Sequence, residues 1–129
     1  IGSASIKEIE KLNILNASLL AMKRSIKKLK SKPSLVLIDG NNLPNMKAYK
    51  LKSVIKGDQK ISEISAASII AKVARDRLIT KMSKKFKRYA WDKNAGYGTK
   101  EHLKAINKFG ITKYHRKTFS PIHNILSPN

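Results

Sequence analysis

Cysteine is absent from the 129 residues, which excludes disulfides and Cys-based zinc sites. Long hydrophobic runs are missing as well. A stretch such as Leu35-Val36-Leu37-Ile38 falls far short of the roughly 20 apolar residues a membrane span needs. The opening Ile1-Gly2-Ser3-Ala4-Ser5 lacks the basic and apolar regions of a secretory leader, so no membrane partner and a cytoplasmic location are expected. That opening does not begin with Met, and it reads as the start of a truncated or trimmed chain. Acidic side chains are scarce: 8 Asp and Glu stand against 28 Lys and Arg, a net charge of +20. A field of that size attracts polyanions, above all nucleic acid. Charge alone leaves open whether such a chain is an enzyme or a non-catalytic binder of the ribosomal kind.

What is present fits one compact domain over 1–129, with a hydrophobic fraction of 41% to build a core. Ser5 and Glu8 are spaced as a capping box. Ile9, Leu12, Leu15, Leu19, Met22, Ile26 and Leu29 then recur at helical intervals, with the weak helix formers Asn13 and Asn16 allowing a break. Pro33 ends that helical region. The run 35–38 has the pattern of a strand buried on both faces and stops at Asp39-Gly40-Asn41-Asn42. A second short strand over 52–56 stops at Gly57-Asp58. A helix capped by Ser62 follows, with Ile64, Ala67, Ala71, Ala74, Leu78 and Met82 as its buried stripe. The stretch 91–98 reads as a loop, Thr99 as the cap of a last helix through Leu103, Ile106 and Phe109, and Gly110 as its end. The tail from Ile111, with His115, Arg116, Phe119 and Pro121, reads as irregular. The order of elements implies an α/β domain with buried strands.

So few carboxylates can be placed one at a time. Glu8 belongs to its cap, Glu10 and Glu101 lie on helices among lysines, and Glu63 sits in a first helical turn. Asp76 is flanked by Arg75 and Arg77 and reads as an ion-pair residue, while Asp92 is in the loop. Asp39 and Asp58 remain, each directly after a strand. In open α/β sheets, sites form where strands end. If the two strands are neighbours, both carboxylates reach one edge and repel each other unless a divalent cation lies between them. Asp-Gly and Gly-Asp pairs are also ordinary turns, so spacing leaves both readings open. Ser65, Ser68, Lys72 and Arg75 recur on one helical face, either to contact successive phosphates or as a solvated surface. In Gly96-Tyr97-Gly98-Thr99 the Tyr is set either to stack on a sugar or base or to cover a core edge. His102, His115 and His123 have no ligand spacing and read as surface or packing residues, with His115 beside Arg116 also able to touch phosphate.

Taken in order, these motifs resemble ribonuclease HII. The resemblance runs through Ile14-Leu15-Asn16-Ala17-Ser18-Leu19-Leu20-Ala21-Met22-Lys23-Arg24, Leu37-Ile38-Asp39-Gly40-Asn41 and Lys56-Gly57-Asp58. It continues through Ile64-Ser65-Ala66-Ala67-Ser68-Ile69-Ile70-Ala71-Lys72-Val73-Ala74-Arg75-Asp76, Gly96-Tyr97-Gly98-Thr99-Lys100-Glu101-His102 and His115-Arg116-Lys117-Thr118-Phe119-Ser120-Pro121. It covers nearly the whole chain. Each motif is weak alone; their shared order is specific.

The resemblance implies a ribonuclease-H-like fold, a mixed sheet flanked by helices. It implies cleavage of the RNA strand of RNA/DNA hybrids and nicking on the 5′ side of ribonucleotides embedded in duplex DNA, the first step of ribonucleotide excision repair. The products carry 3′-hydroxyl and 5′-phosphate ends. Family members hold two Mg²⁺ or Mn²⁺ ions on four carboxylates, and Asp39 and Asp58 match the third and fourth. Tyr97 matches the Tyr that packs on the sugar at the RNA–DNA junction, where the 2′-hydroxyl marks the target. Ser68, Lys72 and Arg75 would hold the substrate backbone. The family's Asp-Glu-Ala-Gly-Arg-Gly segment, source of the other two ligands and of 2′-hydroxyl recognition, has no match here. These 129 residues are therefore expected to be inactive alone, monomeric, and poorly soluble through an unpaired sheet edge and exposed core. A non-catalytic nucleic-acid binder and a decayed fragment are the competing readings.

Overall fold

A computed structural model describes residues 1–118, 120, 122 and 123; Phe119 and Pro121 lie outside the described residues. The chain divides into two compact units, Ile1–Ala71 and Lys72–Asn129, and each is described by itself.

The first unit opens with α1, Ile6–Lys27. Its start is the capping box expected from sequence: the Ser5 hydroxyl accepts from the Glu8 amide, and the Glu8 carboxylate accepts from the Ser5 amide at 2.8 Å. The break at Asn13 is real. Asn13 takes φ 66° and ψ 171°, outside helical geometry. Its Oδ1 then accepts from the Asn16 amide at 3.0 Å, so Asn13 caps the segment that follows. Glu8 and Arg24, 16 residues apart, form a bidentate ion pair with contacts of 2.6 and 2.9 Å. On a straight helix that separation spans about 24 Å. The two segments must therefore fold back on each other at Asn13. The helix ends at Lys27, before Pro33, so Leu29 is outside it and exposed.

Strand β1 (Val36–Asp39) pairs in parallel with β2 (Leu51–Val54), in a register that sets Asp39 opposite Val54. These two strands make up the sheet among the described residues. Both begin within a residue of their predicted positions, and β2 ends two residues early. Burial is less complete than the apolar run implied: Ile38 is buried, Val36 and Leu37 half-buried, and Leu35 exposed. The core of this unit joins Ile26 of α1 to Ile38 and Met46, with Met22, Val36, Tyr49 and Leu51 around them.

A short helix, α2 (Gly57–Lys60), leads into α3, Ser62–Ser83. Ser62 is the first helical residue, and its hydroxyl bonds the Glu63 carboxylate at 3.0 Å. The predicted stripe of α3 is only partly buried. Ile64 is buried and Ala74 and Met82 are half-buried, but Ala67, Ala71 and Leu78 are exposed, as are Ile69, Ile70 and Val73.

In the second unit, Ile79, Met82, Phe86 and Ile111 surround a core of Tyr89, Trp91, Ala105, Ile106 and Ile122. The stretch after Phe86 is more ordered than a loop: a 3₁₀ turn at Lys87–Tyr89 leads to the one-turn helix α4, Trp91–Asn94. Thr99 caps α5 (Lys100–Phe109) by accepting from the His102 amide, and Gly110 ends it at φ 74°, as their positions predict.

Candidate nuclease site

Parallel pairing carries both strand-end aspartates to one end of the sheet. Asp39 is the last residue of β1. β2 ends at Val54, opposite it, and the chain turns through Lys56 in the left-handed region (φ 55°) into Gly57 and Asp58. One hydrogen bond ties the two turns: the Gly57 amide donates to Asp39 Oδ1 at 2.8 Å. Gly57 is buried, and a Cβ there would lie 2.6 Å from Ile64 Cδ1 and 3.4 Å from Asp39 Oδ1. A side chain at this position would have to displace the Ile64 methyl, so glycine lets the backbone make this bond with Ile64 in place.

Neither carboxylate has a cationic partner among the described residues. Apart from the Gly57 amide, the Asp39 carboxylate bonds nothing among the described residues, and the Asp58 carboxylate carries no hydrogen bond or ion pair there. Both side chains are exposed. Glu8, by contrast, is clamped by Arg24, and Asp76 is paired with Arg75 at 3.2 Å, as its flanking arginines predict. In a chain with 28 basic residues, two exposed carboxylates at one end of the sheet, left without a lysine or arginine among the described residues, are available to an external cation. Their oxygens are the hard donors that Mg²⁺ or Mn²⁺ prefers, but two carboxylates are an incomplete set. No group of three or more potential ligands occurs among the described residues.

The remaining candidates lie on α3 and in the second unit. Ser68 and Lys72 are exposed on α3 and Ser65 is half-buried. Arg75 is already engaged: besides Asp76, its guanidinium lies over the Tyr97 ring, 5.1 Å from the centroid. Tyr97 itself is 63% exposed, so its ring does not cover a core edge. Its backbone is held firmly all the same. The Tyr97 amide donates to the Asn94 carbonyl at 2.8 Å, and the Asn94 side chain spans Tyr89 and Gly96 with bonds of 2.7 and 2.8 Å.

Sequence reasoning missed the groups behind Tyr97. His102 and His115 are 4% and 5% exposed, in contact with each other and with Trp91. His115 is thus a packing residue, in keeping with one of its two readings. Burial, with a smaller contribution from His102, lowers its pKa from 6.5 to about 4. Their pairing spans 13 residues and could not be read from local spacing. His123 is exposed.

Comparison with known proteins fixes the lineage. Residues 2–122 match the family model for ribonuclease HII. A ribonuclease HII of Pelagibacter ubique is 76% identical over 126 residues, covering 98% of this chain and 68% of its own length. One from Wolbachia pipientis subsp. Culex pipiens is 52% identical over 122 residues, 61% of its length. The crystal structure of ribonuclease H2 from Pyrococcus horikoshii superposes with a TM-score of 0.73 at 23% identity, over 94% of this chain and 64% of that one. That likeness establishes the ribonuclease-H-like α/β fold. The chain spans between 61% and 68% of these proteins' lengths. On this evidence the chain belongs to the ribonuclease HII family.

Proposed function

We propose that this chain is part of a metal-dependent endoribonuclease that cuts the RNA strand of RNA/DNA hybrids and nicks duplex DNA 5′ to embedded ribonucleotides. Asp39 and Asp58 would hold divalent cations, Mg²⁺ or Mn²⁺, together with two carboxylates from an Asp-Glu-Ala-Gly-Arg-Gly segment outside these residues. The observation that carries the reading is the pair of carboxylates at one end of β1 and β2, without cationic partners among the described residues, their turns joined by the bond from Gly57 to Asp39. When bound, such ions polarise the scissile phosphate and supply a nucleophilic water. The chain's own part is to fix the donors: the Gly57 amide sets the Asp39 carboxylate, and the packing of Gly57 against Ile64 sets where the first turn of α2 places Asp58. Tyr97, with its backbone held and its ring exposed, would pack on the sugar at the RNA–DNA junction. Ser68 and Lys72 would contact the backbone. Arg75 would act through Tyr97, stiffening the ring from one side.

The test is strand nicking of a duplex carrying one ribonucleotide, with the full-length protein. Asp39→Asn and Asp58→Asn should each lower cleavage by more than about a hundredfold while leaving duplex binding within a few fold. Cleavage at the unaltered rate by either variant would refute the assignment. The +20 charge also suits a non-catalytic binder, and in that case no cleavage would be seen in the unaltered protein. Because two of four ligands come from elsewhere, the 129 residues alone should not nick even in Mn²⁺; robust cleavage by them would overturn the four-carboxylate scheme.

A further inference from the structure

Behind the exposed Tyr97 ring, four polar groups meet in a buried row whose proton positions are fixed by chemistry. The indole N–H of Trp91 can only donate, and it reaches His102 Nε2 at 3.0 Å. That nitrogen therefore carries no proton. His102 Nδ1 carries it instead and donates to the Tyr97 carbonyl at 2.8 Å. In the second ring, the Thr112 amide donates to His115 Nδ1 at 3.0 Å, so that nitrogen is also bare. The proton of His115 is then on Nε2, which donates to His102 Nε2 at 3.1 Å. Trp91 and His115 share the one lone pair of His102 Nε2, and no buried side-chain polar atom among the described residues is left without a partner. Turning either tautomer round would set two donors or two bare nitrogens against each other, which is costly in a buried site.

We propose that His102 and His115 are positioning residues of the nuclease: the ordered row from Thr112 through His115 and His102 to the Tyr97 carbonyl fixes the Tyr97 backbone so that its ring meets the substrate sugar. The inference rests on the role given to Tyr97 above, but the row of hydrogen bonds does not. Its local logic is preorganisation. The Tyr97 carbonyl accepts from His102 and from the Thr99 amide at 2.9 Å, while the Tyr97 amide donates to Asn94. Both backbone groups of one exposed residue are thereby anchored in a core. The Tyr89 and Trp91 rings pack 5.0 and 5.3 Å from the His115 ring, so the row lies against aromatic surface. The low pKa of His115 agrees with a ring that stays neutral.

The full-length protein supplies the test, in two measurements. Long-range ¹H–¹⁵N NMR of the histidine rings should find His102 protonated at Nδ1 and His115 at Nε2; the opposite tautomers would overturn the row. In the nicking assay, His102→Asn keeps an N–H able to reach the Tyr97 carbonyl, whereas His102→Gln and His102→Leu do not. The Asn variant should retain most of kcat, and the Gln and Leu variants should lose about tenfold or more. In a Tyr97→Ala background, Gln and Leu should cost nothing further. Comparing Asn with Gln keeps the test valid if Leu fails to fold. Equal activity of Asn and Gln, or an undiminished loss in the Tyr97→Ala background, would overturn the positioning role. Wild-type cleavage by Tyr97→Ala would overturn the reading of Tyr97 and this proposal with it, while the tautomers would still report whether the row exists.

Discussion

Gly57 shows how narrowly the carboxylate end of the sheet is built. Its amide holds Asp39, and the space a Cβ would need is filled by Ile64. Gly57→Ala should destabilise the protein by about 1–3 kcal/mol through overpacking, read as a lower denaturation midpoint. It should also slow nicking, because the Asp39 carboxylate loses its fixed orientation. A Gly57→Ala protein with unchanged stability would mean that this contact is absent. That the turns carrying Asp39 and Asp58 meet at one end of the sheet was legible from sequence, because each was read at the end of a strand and the other acidic residues could be assigned elsewhere. Gly57 was read only as part of a turn, since the clash that makes it necessary involves Ile64, which periodicity alone cannot place. The engagement of Arg75 with Tyr97 was hidden for the same reason: 22 positions separate them, and Asp76 was the evident partner.

At the scale of elements, caps were the most readable features because each is written within four residues. Ser5, Thr99 and Gly110 all act as their positions predict. Asn13 belongs with them, and Asn13→Ala should cost about 1 kcal/mol by removing the cap on residues 14–27. The apolar stripe of α3 was read less well, since periodicity shows which face is apolar but not what covers it. Two elements make stability depend on pH. At the start of α1, hydrogen bonds from the Arg24 guanidinium and then from Ser5 lower the Glu8 pKa from 4.5 to about 2. A depressed carboxylate stabilises the fold above its unfolded pKa, and that contribution fades as pH falls from about 4.5 through 2. After α5, His115 stays neutral in the fold down to about 4, whereas the unfolded chain takes up its proton near 6.5. Folding is therefore weakened as pH falls from 6.5 to 4 and is unaffected by this group above that window. Denaturation midpoints should decline in both windows. Glu8→Gln should reduce the lower one, leaving the share of Glu63, whose pKa is lowered by hydrogen bonds from its own backbone and from Ser62, and should leave the upper one unchanged; a lower-window decline of undiminished size in Glu8→Gln would disprove the first assignment.

Over the whole molecule, two features of the surface dominate, its charge and its exposed apolar side chains. The +20 charge makes affinity for duplex nucleic acid steeply salt-dependent, since each neutralised phosphate releases counterions. Binding should fall by at least about a hundredfold between 50 and 200 mM salt; a flat profile would remove the electrostatic basis of recognition. Apolar side chains are also exposed along α3, where Ile69, Ile70 and Leu78 are each more than half exposed. The chain as given should therefore bind a hydrophobic dye such as ANS and aggregate at modest concentration. The proposed cleavage also requires a local centre where carboxylates offset the excess of positive charge. That centre is tested most directly by dilute Mn²⁺ in an NMR spectrum of the full-length protein, because the paramagnetic ion broadens only nearby amides. The account predicts that Gly40, Gly57 and Asp58 broaden together at the lowest Mn²⁺ concentration. Broadening at one turn without the other, or dispersed over the surface, would contradict it.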